Sequence, residues 1–84
     1  MSSPLHEVLV LTRSGRWDEA HNLVQNEDSP LGAWLHGILH MQEGDLEDAE
    51  YWYGQAHRHF HSRGTLEEEL GQFEAELLKT AGPS

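Results

Sequence analysis

Apolar residues recur along this chain at intervals of three and four, and the rhythm breaks at Gly, Pro and short polar runs. That spacing belongs to amphipathic helices, and it divides the sequence into five. Ser3-Pro4 opens the first, over about 4–13. A Ser side chain caps free N–H groups, and Pro is tolerated at the first helical position. Leu5, Val8, Leu9 and Thr12 share its inner face, Leu11 adjoins them, and Gly15 ends it. The second, 17–25, aligns Trp17, Ala20 and Val24 with Leu23 beside them, and the polar run 26–28 follows. Ser29-Pro30 repeats the opening signal for 30–43, where Leu31, Trp34, Leu35 and Ile38 fall on one stripe. Gly44 stops that helix and Asp45 caps the fourth, with Glu47 and Asp48 at its positive end. Leu46, Ala49, Tyr53, Ala56 and Phe60 continue one stripe and predict a helix over 46–62, ended by Gly64. Thr65 and Glu68 form a capping box, and Leu66, Leu70, Phe73 and Leu77 place the fifth helix at 66–80, before Gly82-Pro83. The expectation is one all-α domain, 1–84, of two antiparallel helix pairs and a closing C-terminal helix.

A repeat underlies the plan. Gly15-Arg16-Trp17-Asp18-Glu19-Ala20 aligns with Gly44-Asp45-Leu46-Glu47-Asp48-Ala49 at an offset of 29 residues. The second pair resembles a tetratricopeptide repeat. Gly37 stands where that motif puts a small residue for close packing, and Ala49, Tyr53 and Ala56 match its small–aromatic–small stripe. Departures are a period shorter than about 34, no terminal Pro, and His36 and His40 at positions that are normally Leu and Tyr. The first pair matches only through its Gly and Ala. The resemblance implies a degenerate tetratricopeptide-like fold. Residues 17–61 are also similar to small, uncharacterised, mostly bacterial helical proteins with a W-x-H-x-x-x-H-x-x-E-G-D … A-x-Y-W-Y core, seen here from Trp34 to Tyr53. That likeness supports the fold and implies no activity.

Composition narrows the classes. Leu, Ile, Val and Phe make up about 21% of the 84 residues, close to the level where a charged chain stays disordered, but three Trp and two Tyr add large buried area. Val, Ile and Thr are too few for a sheet protein. A net charge of −10 disfavours phosphate backbones and anionic membrane surfaces, so neither nucleic acid nor membrane is expected as a partner. No apolar run approaches the ~20 residues of a membrane span, and the N-terminus lacks a secretory pattern; a cytoplasmic protein is the expectation. The absence of Cys removes disulfides, thiol nucleophiles and Cys-based zinc sites.

The candidate chemistry centres on the third helix. His36, His40 and Glu43 lie at i, i+4 and i+7 and share a stripe; if Gly44 centres the hairpin, His40 falls near Ala49 and His36 near Tyr53. His57, one turn past Tyr53 on a continuous helix, would reach the same neighbourhood. One reading is a ligand pocket of His36, His40, Glu43, Tyr53 and His57, with His36, His40 and Glu43 holding a divalent metal. The other is a hydrogen-bonded core network that fixes helix three against helix four. The order His-Gly-Ile-Leu-His is not that of a metalloprotease. His57-Arg58-His59-Phe60-His61 reads as a solvated helix end. The acids Glu43, Asp45, Glu47, Asp48 and Glu50 lack a calcium-loop framework. In Tyr51-Trp52-Tyr53 the helical turn prevents all three rings from facing one core, so Tyr51 is expected outside and Trp52 inside.

No phosphate loop, nucleophile elbow or Cys supports an enzyme, and no cofactor beyond a divalent metal is suggested. The leading expectation is a protein–protein interaction module, with a protein partner or a second copy. Trp17, Tyr51, Leu70, Phe73 and Leu77 are its candidate interface: the fifth helix either caps its own chain or pairs with a second copy, and an isologous homodimer through it or through the Trp17/Tyr51 region is one outcome.

Overall fold

The computed structural model describes residues 4–80, and the expected Ser3 cap and Gly82-Pro83 stop lie outside them. Five α-helices follow in order: α1 (Pro4–Arg13), α2 (Trp17–Val24), α3 (Pro30–Glu43), α4 (Leu46–Gln55) and α5 (Leu66–Thr80), with a 3-10 turn at Phe60–Ser62. Among the described residues there is no strand, and no helix is long and apolar enough to cross a membrane.

α3 is the axis. The Ser29 hydroxyl accepts from the Gly32 N–H at 3.0 Å with Pro30 behind it, so the opening signal acts as written. Every residue from Gly32 to His40 is buried, because α1, α2, α4 and α5 all pack against this one helix. A helix covered on all sides cannot be amphipathic, which is why two His sit inside it. Gly37 sets the α3–α4 spacing: a Cβ there would lie 2.6 Å from Tyr53 Cδ1 and 3.2 Å from the Ala49 carbonyl oxygen. Gly37 therefore meets Tyr53, the place expected for His36, and His36 turns toward α2.

α5 closes the core of its own chain. Leu70, Phe73 and Leu77 are buried, Phe73 meets Trp34 edge-on at 5.4 Å, and Arg13 on α1 pairs with Glu74 on α5 at 3.0 Å. These three residues were expected at an interface. They belong to the core instead, because α1 and α3 leave an apolar seam that α5 fills.

The fourth helix is shorter than its stripe implied. It ends at Gln55 and does not run to 62, since His57 adopts a left-handed φ of 61°. His57 N–H donates to the Gly54 carbonyl at 3.1 Å and Arg58 N–H to the Tyr53 carbonyl at 2.9 Å. That is the paired bonding of a Schellman terminus, and α1 and α3 end in the same way on Gly15 (φ 77°) and Gly44 (φ 93°). A left-handed residue there is normally Gly, so a His terminator carries no sequence flag. Phe60 is still buried, but on the 3-10 turn, and Leu46 at the head of the stripe is exposed.

Candidate functional site

Four aromatic residues from three helices converge on the α2 side of the α3–α4 hairpin, and His40 joins them. Trp17, at the head of α2, donates its indole N–H to the Leu39 carbonyl at 2.7 Å and so pins α2 across α3. One turn on, His21 stacks flat on Trp17 at 4.6 Å with 11° between the planes. His36 stacks in the same manner on Trp52 of α4, at 3.9 Å and 12°. His40 lies under His36 at 5.0 Å, and His21 stands edge-on to both. Two indoles thus enclose three imidazoles.

The ring nitrogens are close. His21 Nε2 and His36 Nε2 are 3.1 Å apart, and one nitrogen from each of His21, His36 and His40 lies within 4.8 Å of the others. Gln25 lies 2.8 Å from His21 Nδ1. With its amide donating there, His21 keeps its proton on Nε2, donates to His36 Nε2, and leaves the His36 proton on Nδ1. His36 and His40 are buried and His21 half-buried. His40 Nδ1 is buried with no hydrogen-bond partner, the closest carboxylate oxygen being Glu43 Oε1 at 3.5 Å. That separation is too long for a good hydrogen bond.

Electrostatics keeps two of these rings neutral. Burial pushes His36 down to about 4, helped by repulsion from His21 and His40. His21 is lowered by burial and by His40, against the pull of Glu43 and Asp18. At neutral pH both rings are uncharged, and a neutral imidazole is the form that binds a transition metal. Beside them lies a cavity of about 440 Å³ lined by Trp17, Asp18, Gln42 and Glu43. Its two carboxylates favour the approach of a cation.

His36, His40 and Glu43 from the expected stripe are therefore neighbours. Tyr53 and His57 are not part of the group. The Tyr53 hydroxyl points to the α5 side, donating to Glu69 Oε1 at 2.6 Å, and His57 is exposed past the end of α4. The expected core network offered Glu43, a Tyr hydroxyl or a helix-end carbonyl as acceptors for these imidazoles; Glu43 Oε1 stands 3.5 Å from His40 Nδ1, and the Tyr53 hydroxyl is committed to Glu69. The residue that sequence reasoning missed is His21. Its signal was present: positions 17, 20, 21 and 24 are i, i+3, i+4 and i+7, so a His interrupts the inner stripe of α2. A further grouping of His40 with Asp45 and Asp48 also exists. Asp45 already serves as the α4 cap, accepting from the Asp48 N–H at 3.4 Å. Trp52 packs half-buried on His36 and Tyr51 is 58% exposed.

Comparison with protein-family models, curated proteins and solved structures finds no match to this chain.

Proposed function

We propose that this chain is a small transition-metal-binding helical protein whose ion sits on His21, His36 and His40. The observation that supports the reading is the convergence of three imidazole nitrogens, two on neutral rings, held by stacking on Trp17 and Trp52. Zn–N bonds of about 2.0–2.1 Å require nitrogens roughly 3.3 Å apart, so the rings would rotate inward and the His21 proton would move to Nδ1, the Gln25 amide turning its oxygen to accept it, to free the Nε2 lone pair. All-nitrogen ligation suits zinc, nickel, copper or cobalt and not magnesium or calcium. Three protein ligands leave a fourth position for water or another donor. Glu43 Oε1, 3.5 Å from His40 Nδ1, is placed to become the carboxylate behind a ligand: on closing to accept Nδ1–H it would leave the His40 Nε2 lone pair for the ion.

Native mass spectrometry of tag-free protein, before and after chelation and zinc addition, tests this. One zinc per chain, absent from His21→Ala and His36→Ala variants that still fold, supports the site. Zinc uptake unchanged by those substitutions defeats it.

An interaction module is the second reading, and it rests on Tyr51, a large aromatic residue 58% exposed on α4. Sedimentation tests it: a chain-mass species throughout the micromolar range excludes self-association, and a dimer abolished by Tyr51→Ala supports it.

A further inference from the structure

On the other side of the hairpin, where α5 packs, a cavity of about 350 Å³ opens between the end of α4, the 57–64 loop and α5. Its floor is the Glu69 carboxylate, 3% exposed, which accepts from Tyr53 Oη at 2.6 Å, Trp34 Nε1 at 3.3 Å and Gly64 N–H at 3.1 Å. Those donors direct the Glu69 charge inward. The walls carry two cations, Arg58 and Arg63, in a chain with only five Lys and Arg.

Arg58 is the unusual group. The left-handed turn at His57 swings it over the Trp34 ring, its guanidinium carbon 3.5 Å from the ring centroid. A cation–π contact holds the guanidinium plane without consuming its N–H donors. Among the described residues Arg58 donates no hydrogen bond and has no carboxylate within ion-pair distance. Arg63 spends Nε on Met41 Sδ and one Nη1 bond on the Phe60 carbonyl, both at 2.9 Å, and likewise pairs with no carboxylate. Two half-buried arginines with unused donors, Ser62 and Gln72 beside them, and one inward-facing carboxylate leave the cavity one positive charge in excess.

We infer that this cavity binds a small oxyanion, a carboxylate or phosphate group, gripped by Arg58 and Arg63 and flanked by Ser62 and Gln72. Arg forks match both groups through paired N–H···O bonds. The acidic surface elsewhere makes the site selective for compact anions that fit inside it.

Titration of ¹⁵N-labelled protein with inorganic phosphate, and separately with succinate, tests the site at constant ionic strength. The expected result is a saturable shift of the Trp34 indole, Gly64 and Gln72 resonances by one of the two, with a Kd below about 10 mM. Phosphate saturating alone assigns a phosphate ligand, and succinate alone a carboxylate. Arg58→Gln weakens binding about tenfold or more. Because Arg58 also packs on Trp34, Gln72→Ala serves as a second variant that leaves the core untouched and lowers affinity about threefold. Shifts that do not saturate with either anion, or that persist unchanged in both variants, overturn the inference.

Discussion

Two polar clusters flank the α3–α4 hairpin, built on opposite terms. On the α5 side a single carboxylate, Glu69, meets three donors from α3, α4 and the loop before α5. On the α2 side three imidazoles face one another, with one buried nitrogen of His40 left without a partner. The first cluster is a closed network, each group answering another, as buried polar groups do when they serve the fold. The second leaves one of its ring nitrogens unanswered. A Tyr hydroxyl or a carboxylate is one way to complete such a cluster. Here the Tyr hydroxyl is committed elsewhere and Glu43 stands off at 3.5 Å. Saturation, more than burial, separates a structural polar cluster from a candidate site.

The contrast is broken or sharpened most directly by removing the centre of each cluster. Glu69→Ala strands the Tyr53 hydroxyl and the Trp34 indole N–H inside the core. The expected loss is about 3–5 kcal/mol of unfolding free energy, much of the stability of a domain this small. His36→Phe keeps a flat ring against Trp52 and, without metal, should change stability by less than about 1 kcal/mol. Urea denaturation of both in chelator checks the pair. Equal losses would mean the histidines serve the fold as Glu69 does.

Acid and alkali should act on opposite sides of the hairpin. His36 titrates near 4 when folded against 6.5 unfolded, so between those values the unfolded chain holds more protons. Above pH 6.5 the ring is neutral in both states and this linkage is silent; as the pH falls toward 4 stability drops by on the order of 3 kcal/mol, and His36→Phe should abolish that part of the slope. The Tyr53 phenol is raised above its usual 10.0 by burial and by its bond to Glu69. Its contribution is therefore complete below pH 10 and lost above it, as the unfolded phenol ionises first. Melting curves from pH 4 to 11 in chelator read both limbs.

Zinc should stabilise only one of the two sides. At a hundredfold excess over Kd, native protein and Gln72→Ala gain about 2.7 kcal/mol, and His36→Phe gains nothing. A gain retained in His36→Phe would place the ion elsewhere, the exposed imidazoles of His57, His59 and His61 being the obvious alternative.

Much of this layout was legible in the chain. The five helices followed from spacing and caps because Ser29, Asp45 and Thr65 cap locally, whatever the rest of the chain does. His36, His40 and Glu43 were legible as a group because one helix carries them. His21 was not, since its meeting with His36 depends on how α2 crosses α3. That crossing is set by the Trp17 bond to Leu39, a tertiary contact. The assignment of Leu70, Phe73 and Leu77 to an interface failed for a related reason. An amphipathic stripe says that a face is covered, not whether its own chain covers it.

The smallest expected effect compares the hairpin turn at Gly44 with the loop that leaves α4. Both helices end on a left-handed residue with the same two backbone bonds, but one uses Gly and the other His57. A non-glycine residue in that conformation costs about 1–2 kcal/mol, part of which Gly recovers against its greater freedom in the unfolded chain. His57→Gly should therefore stabilise the fold by about 0.5–1 kcal/mol, and Gly44→Ala should destabilise it by about 1 kcal/mol. The His57 ring is exposed and forms no hydrogen bond among the described residues, so no lost contact offsets the gain. If His57→Gly proves destabilising, the imidazole takes part in holding the loop, and with it the Arg58 guanidinium over Trp34. The turn would then belong to the oxyanion cavity and not merely to the end of a helix.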